Sequence, residues 1–157
     1  MIIKIKPYII SILTALAVGG LSALLTRNNM DIYSTVNTPP LSPPSILFPI
    51  VWTVLYILMG ISAAMIYTDN KASDAEKKSA LYTYAASLLV NFFWSIIFFN
   101  MRAFLFAFIW ILLLLFLIIR TIMKYYRIKP LAAYLQIPYA LWVAFAGYLN
   151  FGIWYLN

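Results

Sequence analysis

The sequence predicts an all-α integral membrane protein, a five-transmembrane-helix bundle with a proline-rich lid loop between the first and second helices. Three observations predict it. Of 157 residues, 65% are hydrophobic and only 10% charged, against roughly 25% charged in soluble domains, and the mean hydropathy is +0.92. The apolar residues form five long runs separated by short polar or proline-containing breaks, each run near the roughly 20 residues that a spanning helix needs. The eleven Lys and Arg sit almost entirely at the ends of those runs, as membrane orientation requires. Residues 1–157 therefore make a single transmembrane domain.

The same composition removes several functions. With no cysteine and no histidine, the chain has no CxxC pair, no structural zinc site and no Ser-His-Asp relay. The net charge of +7 sits at helix ends, which argues for a lipid bilayer as partner and against nucleic acid. The four acids, Asp31, Asp69, Asp74 and Glu76, all fall in the breaks, so no paired carboxylate or nucleophile-base constellation lies within the bundle. No ionisable side chain falls in the second, third or fifth span, so an ion-coupled transport cycle has no visible carrier.

The first span covers about residues 7–26. Lys4, Lys6 and an Ala15-Leu16-Ala17 triplet imitate a signal peptide and its cleavage site. The apolar run nevertheless continues unbroken to Leu25, long enough to cross a bilayer, so it is read as a retained helix. Ala15, Gly19 and Ala23 recur every fourth residue, a small-xxx-small row that lets another helix approach. The connection 27–45 begins polar and passes into Pro39, Pro40, Pro43 and Pro44. Fixed φ and missing N–H groups make that stretch a stiff, polyproline-like arm, and a connection this long reads as an ordered lid.

The second span, 46–68, follows with Ser45 as N-cap and Pro49 in the first turn. Trp52 and Tyr56, one turn apart, share a face. The charged stretch 69–78 reads as a solvated turn. In the third span, 79–99, Ser87, Asn91 and Ser95 recur every fourth residue with Trp94 beside them, and such a stripe in hydrocarbon must face inward. The short break at Asn100-Met101-Arg102 makes the third and fourth spans antiparallel neighbours. The fourth, 103–124, is almost uniformly Leu, Ile and Phe, suited to lipid or a dimer partner. Tyr125 to Lys129 reads as a basic, aromatic turn at the headgroups. The fifth span, 130–155, carries Gln136, Pro138, Tyr139, Trp142, Asn150 and Trp154 among small residues. It is built to face other helices, with Trp142, Ala146 and Asn150 along one side.

Five spans put the termini on opposite sides. The amino-terminal side holds Lys4, Lys6, Lys71, Lys77, Lys78, Arg120, Lys124, Arg127 and Lys129, and the other side holds Arg27 and Arg102. The positive-inside rule then predicts a multi-pass protein of a bacterial-type cell membrane, with a cytoplasmic N-terminus and an external lid.

Three stretches on the second, third and fifth spans go beyond generic membrane pattern: PPLSPPSILFPIVWTVLYILMG, NFFWSIIFFNMRA and LQIPYALWVAFAGYLNFGIWYLN. In that order they resemble the TspO/MBR family, the translocator proteins, tryptophan-rich sensory proteins and peripheral benzodiazepine receptors. The resemblance runs from about Pro39 to the C-terminus. It implies a five-helix bundle, commonly a homodimer, whose first loop lids a pocket for porphyrins and other flat hydrophobic ligands; some members promote light-dependent porphyrin breakdown. By motif, Trp52 and Trp142 match the pocket tryptophans, with Tyr56, Asn91, Trp94, Ala146 and Asn150 lining or bracing the same space. Arg102 matches the arginine after the third helix, and Pro43 and Pro44 match the lid prolines. Phe48 completes the expected ligand-binding set. Leu41 stands where many relatives have an aromatic residue, so the lid's contact with ligand is expected to differ. No basic residue follows Tyr148, which puts the animal members' sterol motif in doubt.

Aromatic residues at helical spacing usually serve as core or as an interfacial belt. Trp52, Asn91, Trp94 and Trp142 lie several residues inside their helix ends, where a belt residue reaches no interface, and this favours a pocket. A porphyrin needs aromatic faces for its ring and cations or amides for its propionates, the first from Trp52, Tyr56, Trp94 and Trp142, the second from Arg102, Arg27 and the lid backbone. Arg27 reads better as a helix-end anchor. Without histidine for axial ligation, metal-free protoporphyrin is the better candidate, as ligand rather than obligatory cofactor, and no metal site is expected. The expected function is a receptor or sensor. The alternatives are a light-dependent porphyrin-degrading enzyme, with Trp52 and Trp142 as redox candidates, or a passive tetrapyrrole or lipid transporter.

Overall fold

Long apolar runs, joined after the first connection by breaks of a few residues, leave each helix to satisfy its own backbone and to bury one stripe against its neighbours. The computed structural model describes residues 5–157; Lys4, counted above on the amino-terminal side, lies outside them. The helices are α1 (Ile5–Thr26), a single turn α2 (Ile32–Thr35) within the first connection, α3 (Leu47–Tyr67), α4 (Asp74–Ser95), α5 (Phe104–Ile128) and α6 (Pro130–Leu156). Among the described residues, five helical segments, all but α2, are long and apolar enough to cross a membrane. They close into a ring in which α1 meets α3, α3 meets α6, α6 meets α5, α5 meets α4 and α4 meets α1.

Small residues set the closest approaches. A side chain at Gly60 of α3 would run into the backbone of Ile12, and one at Gly19 of α1 into the Tyr56 ring. Of the small-residue row on α1, Ala15 is fully buried, Gly19 meets Tyr56, and Ala23 stays exposed. The polar stripe of α4 turns inward as expected, with Ser87 and Asn91 buried.

Helix ends differ from the sequence expectation in three places. The third span begins at Asp74, not 79, because Ser73 and Glu76 form a reciprocal capping box, Glu76 N donating to Ser73 Oγ (3.2 Å) and Ser73 N to Glu76 Oε1 (3.4 Å). The fourth span continues to Ile128, and Tyr125, expected at the headgroups, is fully buried. The break between α5 and α6 shrinks to Lys129, extended at φ −150°, as the residue before a proline prefers, and Pro130 opens α6 where its missing N–H costs nothing. Ser45 makes no side-chain cap; α3 starts through main-chain turns, Leu47 N donating to Pro44 O (3.0 Å) and Phe48 N to Ser45 O (3.3 Å).

The first connection is less extended than predicted. After a 3₁₀ turn (Arg27–Asn29), α2 buries Ile32 in the core, and the proline arm is folded by a turn at Pro40-Leu41, where Leu41 adopts the left-handed region (φ 71°). The Ser42 hydroxyl closes that turn on Pro39 O (2.7 Å).

Candidate ligand-binding site

At the end of the ring carrying the first connection, the helices part around a cavity of about 410 Å³, within the range of small-molecule sites. Gly19, Ser22, Ala23 and Thr26 of α1 wall one side, where no bulky side chain fills the space. Phe48, Pro49, Trp52 and Tyr56 of α3 form the next wall, and Ala146, Leu149, Asn150 and Ile153 of α6 the third. From α4 come Asn91, Trp94 and Ser95, followed by Phe98 and Phe99. These last two sit in a π turn, Ile96–Asn100, which α4 adopts at its end. The wider turn rephases the helix, so that Trp94, Phe98 and Phe99 all reach the same space. Met30, Tyr33 and Ser45 of the first connection complete the lining.

The polar groups of the wall are largely committed to each other. Asn91 Nδ2 donates to the Tyr56 hydroxyl (3.1 Å) and Trp94 Nε1 to Asn150 Oδ1 (3.0 Å). Asn150 Nδ2 in turn donates to Phe104 O (2.8 Å), so this one amide ties α4, α5 and α6 together. Both amides are buried, where leaving a partner unsatisfied costs about 1–3 kcal/mol, and the pairs therefore hold the wall in one arrangement. The aromatic faces are similarly ordered: Trp52 stacks on Tyr56 (5.7 Å between centroids) and Trp94 on Phe98 (5.1 Å), while Phe48 meets Tyr33 edge-on (5.1 Å). Among the described residues, no charged side chain lines the cavity.

Of the residues singled out in the sequence, Phe48, Trp52, Tyr56, Asn91, Trp94, Ala146 and Asn150 line this cavity together. Trp142 lies behind the wall, its ring edge-on to Phe48 at 5.8 Å and its buried Nε1 without a hydrogen-bond partner. Pro43 and Pro44 shape the connection instead of lining the cavity: Tyr33 donates to Pro43 O (3.4 Å), and Pro44 O receives the first turn of α3. Arg102 is exposed in the left-handed conformation (φ 52°), in a separate surface groove with Trp154, Tyr155 and Asn157. Arg27 is exposed at the end of α1, away from the lining, and Leu41, 84% exposed, also contributes nothing to it. The expected cation is therefore missing from the wall itself.

The model of the TspO/MBR family matches residues 11–156, nearly the whole chain. The chain belongs to the TspO/MBR family. It is 36% identical over 143 residues to the tryptophan-rich protein TspO of Chlorobaculum tepidum, covering 90% of each chain. It is 34% identical over 155 residues to the tryptophan-rich protein TspO of Archaeoglobus fulgidus, covering 98% of this chain and 99% of the relative. With the translocator protein of Bos taurus it shares 34% identity over 140 residues, 88% of this chain and 83% of the other. This TspO/MBR chain is thus an integral, multi-pass membrane protein.

Sequence reasoning missed the α1 wall and the π-turn aromatics of this TspO/MBR bundle. Gly19, Ser22, Ala23 and Thr26 follow helical spacing on one face of α1 and were legible only as a packing row. Nothing in the run IIFFN marks a π turn.

Proposed function

We propose that the protein is a membrane receptor for porphyrins and similarly flat hydrophobic molecules, held in the cavity beneath the first connection, which acts as its lid. The observation that carries this reading is the wall itself, a preorganised apolar slot with Trp52, Trp94, Phe98 and Phe99 as aromatic faces, braced by the Tyr56–Asn91 and Trp94–Asn150 pairs. The macrocycle fits such walls by stacking. The propionates do not fit an uncharged interior and belong at the mouth. Photochemical breakdown of a bound porphyrin would draw on the ligand's own excited state, because the wall supplies no acid or base.

The N-terminus is assigned to the cytoplasm and the lid to the exterior, on the distribution of Lys and Arg. Cysteine substitutions at Asn37 and Lys71, probed from outside intact cells, should label position 37 alone; labelling of position 71 alone would invert the topology. A homodimer would bury part of the exposed apolar face of α5, which includes Ile109, Leu112 and Phe116.

The deciding experiment is a titration with protoporphyrin, haem and coproporphyrin, in the dark and under illumination, followed by tryptophan quenching, the Soret band and product analysis. Saturable quenching without bleaching beyond a protein-free control is expected of a receptor. Protein-dependent loss of the Soret band with a new product would make it a photoenzyme, and no saturable binding of any of the three would remove the porphyrin reading.

A further inference from the structure

We propose that ligand reaches this cavity sideways from the bilayer, through a gap between the ends of α1 and α3, and that the part of the ligand held inside is uncharged. The inference rests on the cavity being the ligand site, and three independent observations carry it.

The aqueous side is fastened. Asn37 N donates to Asn157 Oδ1 (3.1 Å), and Asn157 Nδ2 donates back to Asn37 O (2.9 Å) and to Ile153 O (2.7 Å). The Tyr148 hydroxyl donates to Pro40 O (2.7 Å), and the Pro39 ring occupies the space over Gly152 that any side chain there would need. At the other end of the connection, Asn29 Nδ2 donates to Asn100 Oδ1 (2.7 Å). These contacts join the connection to α6 and to the α4–α5 break. The proline arm is thus held down on α6, which does not neighbour α1 in the ring.

Exposure of the wall is confined to the opposite flank. Among the lining residues only Ala23, Met30, Ser45 and Pro49 are exposed. Two of them stand within a turn of the ends of α1 and α3, and the other two belong to the connection between those ends. Exposed apolar side chains, Leu24 and Ile50, flank them. Deeper in the membrane the same two helices are closed by the Gly19–Tyr56 and Gly60–Ile12 contacts, which gives the gap a floor. An opening at this depth meets the boundary between headgroups and acyl chains.

The wall carries no charge, and an ionised group taken into it would lose its hydration without a partner. A molecule already dissolved in the bilayer has left that hydration behind. Side access and an uncharged interior therefore select the same ligands: apolar, flat molecules whose polar or ionised substituents stay at the headgroups.

The test uses the full chain in proteoliposomes and stopped-flow tryptophan quenching by protoporphyrin dimethyl ester and by free protoporphyrin, each concentration referred to lipid. Ile50→Trp, at an exposed side chain that flanks the gap and is no part of the lining, should slow binding and release of the ester together by about tenfold while its Kd moves by less than about threefold, because a gate leaves the bound state untouched. Asn157→Ala should leave both rates within about threefold of the parent chain. The ester should bind at least as tightly as the free acid. Ile50→Phe, a smaller plug with an intermediate effect, covers the case in which Ile50→Trp does not fold. Faster exchange in Asn157→Ala with unchanged rates in both Ile50 variants would make the lid the route and overturn the proposal. A change in Kd alone at position 50, or a preference for the free acid of more than about tenfold, would also overturn it. Absence of saturable quenching by either porphyrin would instead sink the receptor reading on which it stands.

Discussion

The two halves of the bundle draw on the same residue types and lean on their polar groups to different degrees. In the half beneath the first connection, Trp94 is paired with Asn150 and Tyr56 with Asn91, and the helices stand apart around a cavity. In the other half, Tyr84 and Tyr125 are buried with hydroxyls that find no partner among the described residues, and one buried relay, Gln136 Nε2 to Ser62 Oγ (3.4 Å) and Ser62 Oγ to Ala132 O (2.8 Å), joins α3 to α6. There the Tyr84 and Tyr125 rings, 6.4 Å apart, fill the space between α4 and α5, and Gly60 lets α1 and α3 touch. The comparison teaches that a buried polar atom and a structural polar atom are different things. Pairing fixes the open half, where packing alone cannot, whereas at the α4–α5 seam of the closed half shape does the fixing and the two hydroxyls are incidental.

That contrast can be broken at graded cost. The largest effect is expected from Gly60→Ala, whose methyl group meets the Ile12 backbone; about 3 kcal/mol should be lost, read from reversible unfolding in mixed micelles. Asn150→Ala leaves the Trp94 N–H unpaired inside the wall and should cost about 2 kcal/mol, with ligand affinity falling in parallel. Asn157→Ala removes exposed hydrogen bonds from the arm and should cost under about 1 kcal/mol, visible as easier proteolysis of the connection. Tyr125→Phe deletes a hydroxyl that bonds to nothing and should change stability by less than about 0.5 kcal/mol. A loss at Tyr125→Phe as large as that at Asn150→Ala would erase the distinction between the halves.

Most of the architecture was legible because hydrocarbon leaves few choices: apolar runs of the right length must be helices, and the amide and hydroxyl stripe of α4 must face in. Helix ends were less legible. The capping box at Ser73 and Glu76 was readable in the sequence as S-x-x-E and was passed over as a charged turn. Tyr125 looked interfacial beside Arg127 and Lys129, yet α5 carries it inward by continuing through Ile128. In the site, residues on α3, α4 and α6 were found because aromatic and amide groups stand out against Leu and Ile. The α1 wall was missed because it works through small side chains, which leave space and no chemical signature. Arg102 and Trp142 fell outside the cavity for conformational reasons that spacing cannot express, a left-handed backbone for one and an intervening Phe48 for the other.

The seams of the ring are unequal: α1 with α3, and α5 with both α4 and α6, share broad contacts, while the seams α1–α4 and α3–α6 that join these two blocks are narrower. The cavity lies across the join, with walls from both blocks. A bound molecule is then a rivet between two separately packed pieces, and at a hundred times its Kd it adds about 2.7 kcal/mol to the folded state by mass action alone. Occupancy would thereby be written into the cohesion of the whole bundle, where any neighbouring protein able to sense its stiffness could read it.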